Sequence, residues 1–148
     1  GVTVEKAYDT FNDVLVNLFN ELMDIEERAI ITPEFKDITN NDMHVIEAVG
    51  IGDPRNMSAV AKLLSITVGT LTIAVNNLVK KGYIERVRSK EDRRVVLVSL
   101  TEKGKKAYQH HKRFHEEMVQ SLLKGLSDQE ISTLVTALTN LREFFRNY

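Results

Sequence analysis

The spacing of apolar residues along the chain predicts a mainly helical protein. In the first thirty residues, apolar side chains recur three and four positions apart, which predicts one long amphipathic helix over residues 3–29. Thr39, with Asp42 three positions later, predicts the start of a second helix that runs to Gly50. The stretch GIGDPRN, which follows it, predicts a turn.

Two short helical segments come next and are separated by only about three residues. Ser58 is expected to open the first and Thr67 to cap the second, which Gly82 should end in a left-handed conformation. So short a joint indicates a helix-turn-helix. The expected core face of the second helix consists of Val68, Leu71, Val75, Leu78 and Val79.

Strand-like segments at 83–88 and 94–100 enclose a charged tip, so they predict a β-hairpin. Thr101 then caps a long helix, and Ser127 with Glu130 forms a capping box for the last one. The centre is expected at 39–100, with helical regions at 1–38 and 101–148. Because these flanking helices carry more apolar surface than one centre can cover, they predict pairing with a second copy.

Composition narrows the functional class. The 148 residues suit one globular domain, and no apolar run approaches the roughly 20 residues that span a membrane, so a cytoplasmic protein is expected. The absence of cysteine excludes disulfides and thiolate chemistry. No nucleotide-binding glycine motif and no GxSxG motif occurs, so the sequence predicts neither an enzyme nor a bound cofactor.

The overall charge of −1 conceals a basic middle. Residues 57–115 hold 13 basic and 4 acidic side chains, whereas residues 1–56 hold 4 basic and 12 acidic ones. A segment with this imbalance attracts a polyanion such as nucleic acid, although basic residues that only solvate a helix face would give the same count.

The polar face of the second short helix predicts contact with DNA bases. No acidic residue occurs from 63 to 84, and this face carries small polar groups and two amides suited to base edges. Its members are Thr67, Gly69, Thr70, Ile73, Asn76, Asn77 and Lys80.

The hairpin tip predicts a second contact with DNA. A narrow minor groove attracts arginine strongly, and the basic residues expected to lie close together there are Arg86, Arg88, Lys90, Arg93 and Arg94. Asp92 would be repelled by phosphate, so we expect it to pair with an adjacent arginine and hold the shape of the tip.

The same residues resemble those of a known family. The segments LVKKGYIER and SLTEKG, with Asp92 and Arg94 between them, are similar to the MarR family of winged helix-turn-helix regulators. The resemblance implies a winged helix-turn-helix flanked by dimerisation helices, and a homodimer that binds double-stranded palindromic DNA. It further implies that Arg94 enters the minor groove. A winged helix used only for protein contacts would instead show no salt-dependent DNA affinity.

A narrower resemblance concerns the effector. EFKDITNNDMHVIEAVG and HHKRFHEEMV are similar to the MarR-type repressors of fatty-acid synthesis genes in streptococci and their relatives. That resemblance implies long-chain acyl-acyl carrier protein as corepressor, with its acyl chain in an apolar tunnel. Candidate lining residues, which would serve equally as ordinary core, are Phe19, Leu22, Met23, His44 and Met118.

The histidines support an alternative function. His111 and His115 are four residues apart on one predicted helix, a spacing that can chelate zinc. With His44, Glu47 and either Glu26 or Glu27, they resemble the ligands of the zinc-sensing branch of the same family, which regulates metal uptake. That branch also uses a cysteine, which this chain lacks. We therefore expect a repressor of fatty-acid synthesis genes without a bound metal.

Overall fold

Helices make up most of the chain. The computed structural model describes residues 3–30 and 32–148, and its contacts define two compact units, the first ending at His111 and the second comprising Lys112–Tyr148. A small three-stranded antiparallel sheet lies in the first unit. The predicted mainly helical fold with a small β-element is confirmed. The N-terminal helical elements are α1 (Val4–Asp13), a π-helical turn (Val14–Leu18) and α2 (Phe19–Ile30).

The π-helical turn corrects the prediction of one uniform α-helix over residues 3–29. At its end, the N–H of Phe19 donates to the carbonyl of Val14, five residues earlier. Side-chain hydrogen bonds compete with the α-helical pattern here, since Asn20 Nδ2 donates to the Val16 carbonyl at 2.8 Å. The periodicity of apolar residues does not report such a local change.

The capping signals locate most helix ends. Thr39 and Asp42 form a capping box, as Ser127 and Glu130 do, and Gly82 has a φ of 89° at the end of its helix. The remaining elements are α3 (Asn40–Val49), β1 (Arg55–Asn56), α4 (Met57–Leu64), α5 (Val68–Lys81), β2 (Ile84–Arg88), β3 (Val96–Leu100), α6 (Glu102–Leu123) and α7 (Asp128–Arg146).

The sheet contains a strand that the sequence pattern does not predict. The strand order is β1-β3-β2, with Arg55 opposite Val98 and Asn56 opposite Leu97. The stretch expected to be only a turn therefore ends in β1, because the backbone of β3 offers it a pairing edge. Asn56 also caps α4 by accepting from the N–H of Ala59 at 2.7 Å, so this helix does not begin at Ser58 as predicted.

The core of the first unit lies beneath α3, α4, α5 and the sheet. Leu71, Val75 and Leu78 of α5 are fully buried, and Val79 is partly buried against them. Val68 was expected in this core face but is 44% exposed, because it is the first residue of the helix and its side chain precedes the packed turns. Over residues 3–30 and 32–148 no single helix could cross a membrane. Only α4 and α5 taken together reach the necessary length and apolar content, and they meet at a bend of 104°.

Tyr83 ties the segment before α3 to the sheet. Its ring is fully buried and its hydroxyl donates to Asp37 Oδ1 at 2.7 Å. This hydrogen bond is the largest cause of a lowered pKa of the Asp37 carboxyl, whereas burial is the largest cause of a raised pKa of the Tyr83 hydroxyl. Lys81 Nζ reinforces the connection by donating to the Asp37 carbonyl at 2.6 Å and to Asp42 Oδ2 at 2.8 Å.

Replacing Tyr83 with phenylalanine should lower the free energy of unfolding at pH 7 by about 1 kcal/mol, since it removes one hydrogen bond to a carboxylate that faces solvent. Because the pKa of Asp37 is lower in the folded chain, its contribution is present above the ordinary value of about 3.9 and lost as the pH falls below it. Urea unfolding should therefore show a smaller difference in unfolding free energy between this variant and the parent at pH 3 than at pH 7. Tyr108→Phe is the matched control, and an equal loss in both variants would contradict the assignment.

The second unit has no buried side chain in Lys112–Tyr148. Along α7, Leu138, Phe144 and Phe145 are each more than half exposed. In the first unit, the N-terminal helical elements likewise bury only Ile30 among their described residues. Each of these helical regions therefore has an uncovered apolar face.

Candidate nucleic-acid interface

The solvent-facing side of α5 is the first part of the site. Thr67 precedes the helix and caps it, with Oγ1 accepting from the N–H of Thr70 at 3.1 Å. Ile73 is 67% exposed although it is apolar, which suits contact with a thymine methyl group. All the residues of this face that were predicted to contact DNA are exposed, namely Thr67, Gly69, Thr70, Ile73, Asn76, Asn77 and Lys80.

The two lysines at the end of α5 differ in their contacts. Lys80 is exposed, whereas Lys81 donates to Asp42 and to the Asp37 carbonyl and is largely covered. A phosphate would have to compete with an existing ion pair for Lys81. Lys80 is therefore the lysine available to a polyanion at this end of the helix.

The wing, which we define as residues 84–100, has a tip closed by its own side chains. Ser89 Oγ accepts from the N–H groups of Glu91 and Asp92 at 3.2 and 3.3 Å. Arg88 Nη1 donates to the carbonyl of Arg93 at 2.8 Å. Arg88 therefore stabilises the turn that presents the other arginines, a role that its position in the sequence does not predict.

Asp92 and Arg94 form a two-point ion pair at the tip. Arg94 Nε lies 3.1 Å from Asp92 Oδ1, and Arg94 Nη2 lies 3.1 Å from Asp92 Oδ2. The N–H of Arg94 also donates to Asp92 Oδ1 at 3.0 Å. These hydrogen bonds lower the pKa of the Asp92 carboxyl and raise that of the Arg94 guanidinium. The Arg94 side chain is 91% exposed, so the carboxylate orients it while its outer edge remains accessible.

A contact between the wing and α5 was not predicted. Arg86 of β2 lies opposite Val98 in the sheet, and its Nη2 donates to Asn76 Oδ1 on the exposed side of α5. The sequence places these residues ten positions apart in different elements, and no local pattern connects them. Only the packing of β2 against α5 brings the guanidinium to the amide.

The candidate effector residues do not form one enclosed site in the first unit. Phe19 and Met23 are exposed and Leu22 is half-buried, while Met118 lies in the second unit. His44 is exposed and lines a cavity of about 220 Å³ between α3, α4 and α5, which none of the other four candidates lines. The other residues lining that cavity are Asn41, Val45, Leu64, Ile66, Thr70 and Ala74.

The candidate zinc ligands are distributed over both units. His111 is buried, and its Nε2 lies 3.5 Å from Glu26 Oε1 and in closer contact with the carboxylate of Glu47. His44 lies instead at the cavity beside α5, and His115 lies in the second unit next to the Phe114 ring. The first unit therefore brings His111, Glu26 and Glu47 together without His44.

Comparison with known proteins identifies the family. The multiple antibiotic resistance protein MarR of Salmonella typhimurium is 31% identical over 137 residues, which cover 88% of this chain and 94% of that protein. The chain belongs to the MarR family. The family model described as transcriptional regulator SarA/Rot also matches residues 29–111. This MarR-type chain is thus a transcriptional regulator with a winged helix, and its relatives are not enzymes.

Solved structures agree with this membership. FabT of Streptococcus pneumoniae, crystallised in complex with DNA, shares 44% identity at a TM-score of 0.85, covering 95% of this chain and 98% of FabT. Apo MarR of Escherichia coli shares 28% identity at a TM-score of 0.58, covering 84% of this chain and 93% of that one. The MarR-type fold therefore extends over almost the whole sequence.

Proposed function

We propose that this MarR-type regulator is a homodimeric repressor of fatty-acid synthesis genes, whose DNA affinity is raised by long-chain acyl-acyl carrier protein. The observation that carries the DNA-binding part is the exposed polar face of α5 beside a wing with an oriented, accessible Arg94. The similarity to FabT, whose crystal structure contains DNA, supports the same assignment.

DNA binding would divide into base reading and backbone contact. The amides of Asn76 and Asn77 and the methyl groups of Ile73 would meet base edges in the major groove. Lys80 would contact phosphate, and Arg93 would do the same from the wing. Arg94 would enter the adjacent minor groove, where the negative potential of a narrow groove favours a guanidinium.

The homodimer is supported by the uncovered helix faces. Tyr8, Phe11 and Phe19 of the N-terminal elements are each more than half exposed, and α7 has a similar apolar surface of its own. A second copy of the chain offers matching apolar surfaces, because a two-fold interface buries the same residues on both subunits. Two copies would also present two α5 helices to the two halves of a palindromic site.

The corepressor is what the resemblance of the sequence to MarR-type repressors of fatty-acid synthesis genes implies, and the apolar character of Phe19, Leu22, Met23 and Met118 suits an acyl chain. A long acyl chain needs a continuous apolar path, which an interface between two copies would complete. Acyl-acyl carrier protein would then act by binding the DNA-competent dimer more tightly than other states.

The proposal is tested by titrating a labelled duplex with the full-length protein in the presence of a chelator. The duplex is first selected from a randomised library, and a scrambled duplex of equal length is the control. Fluorescence anisotropy should show selective binding that weakens steeply with salt. Long-chain acyl-loaded carrier protein should tighten binding by about fivefold or more, and unloaded carrier protein should leave it unchanged. Equal binding to both duplexes would overturn base-specific DNA recognition, whereas selective binding without an acyl effect would remove only the corepressor.

A zinc response is the second candidate function, and the contacts of His111 with Glu26 and Glu47 favour it. One imidazole and two carboxylates are donors that zinc accepts. Repeating the titration with zinc in place of the chelator separates the two candidates. Tightening by zinc alone, abolished in His111→Ala, would make this cluster the effector site and leave the acyl hypothesis without support.

A further inference from the structure

We infer that Arg86 fixes the orientation of the Asn76 amide, so that Asn76 turns its Nδ2 donors toward the major groove and selects guanine over adenine. This inference deepens the proposed DNA-binding function and rests on it. Arg86 is thereby a positioning residue, since it acts on the base through Asn76.

The contact allows only one amide orientation. A guanidinium has five N–H donors and no acceptor, so the group of Asn76 that faces Arg86 must be the carbonyl oxygen. The structure has this arrangement, with Arg86 Nη2 donating to Asn76 Oδ1. The Nδ2 group, on the other branch of the planar amide, is therefore the end left to meet a base.

The orientation changes which base fits. An asparagine normally recognises adenine with both ends of its amide, donating to N7 and accepting from the N6 amino group. Because Oδ1 is turned toward Arg86, which occupies one of its two lone pairs, the accepting half of that pair is weakened, and adenine N6 is bound less well than by a free amide. Guanine presents two neighbouring acceptors, N7 and O6, which match the two hydrogens of Nδ2.

The neighbouring Asn77 provides an internal comparison. It is exposed on the same side of α5, but within residues 3–30 and 32–148 no protein group holds its amide. Its amide is free to rotate and can present a donor and an acceptor together. Two adjacent asparagines of one helix are thus expected to prefer different bases.

The test is selection of bound sequences from a randomised duplex library by the full-length protein and its variants. Asn76→Ala identifies the operator position that Asn76 reads, since the preference for one base should be lost at that position. At that position the parent should favour guanine over adenine by about fivefold or more. Arg86→Met should reduce that ratio to within about twofold, because the freed amide can rotate to accept from adenine N6. Arg86→Lys, which still donates to Oδ1, should retain the guanine preference.

Arg88→Met is the matched control, because it removes one positive charge from the same strand two residues away. It should lower overall affinity but leave the guanine preference at the Asn76 position unchanged. Asn76→Asp is the second test, since its outward oxygen can only accept and should disfavour guanine.

The outcomes separate this inference from the function on which it depends. A parent preference for adenine at the Asn76 position, or equal shifts in Arg86→Met and Arg88→Met, would overturn the positioning role while DNA recognition stands. In Arg86→Met, a change in base preference at the position read by Asn77 as large as the change at the Asn76 position would also overturn it. Failure of the parent to select any sequence would remove the proposed function itself.

Discussion

Replacing Gly104 with alanine should destabilise the protein by about 1–3 kcal/mol, although alanine ordinarily favours a helix over glycine. Gly104 is buried in the first turn of α6, and a Cβ there would lie 2.1 Å from the carbonyl oxygen of Tyr83. That carbonyl cannot shift freely, since it accepts from the N–H of Thr101 at 3.0 Å. The added methyl group would also come within 3.2 Å of Leu100 Cβ.

Denaturant unfolding of Gly104→Ala beside Gly52→Ala measures this effect. A Cβ at Gly52 meets no atom within 4 Å, so that substitution should leave the unfolding midpoint nearly unchanged. For a chain of this size, the loss at Gly104 corresponds to a melting temperature lower by about 2–4 °C per kcal/mol. Equal midpoints for the two variants would show that α6 does not approach the sheet as closely as described.

Replacing Arg94 with alanine should weaken binding to the selected operator by about 5- to 150-fold at physiological salt, the range for losing one specific groove contact. In the chain without DNA, this arginine is oriented by two hydrogen bonds to Asp92 and is 91% exposed. The loss of affinity should exceed that caused by removing an ordinary phosphate contact, because a groove of strongly negative potential would be left without a guanidinium.

Arg93→Ala provides the comparison for Arg94→Ala, because it removes the same charge from the adjacent residue. Fluorescence anisotropy over a range of salt concentrations distinguishes the two roles. Arg93→Ala should reduce the slope of log affinity against log salt concentration by about one and weaken binding to all duplexes alike. Arg94→Ala should weaken binding to the operator more than binding to the scrambled duplex. Equal effects of both variants on both duplexes would show that Arg94 does not enter the minor groove.

The sequence predicts those features that depend on neighbouring residues. The capping boxes at Thr39 and Ser127, the left-handed Gly82 and the buried face of α5 follow from side chains within one or two helical turns. Val68 is the exception in that face, because periodicity treats a terminal position like an internal one. The exposed residues of α5 were predictable for the same reason as its buried ones.

Features that depend on distant residues escaped prediction. β1 exists because β3 offers it a pairing edge more than forty residues later in the sequence, and two residues have no recognisable periodicity. The contact of Arg86 with Asn76 likewise depends on how a strand packs against a helix. His111, Glu26 and Glu47 were named together from spacing and resemblance, whereas the position of His44 at another cavity required the fold.

The small strand β1 affects which operator spacings the protein can bind. Asn56 both pairs with β3 and caps α4, so the root of the wing is joined to the helix-turn-helix on the side opposite β2. The distance between α5 and Arg94 is therefore expected to stay constant when the protein binds DNA. If the protein binds as the proposed dimer, operators whose half-sites are separated by one base pair more or less would have to be accommodated by rotation of one copy against the other.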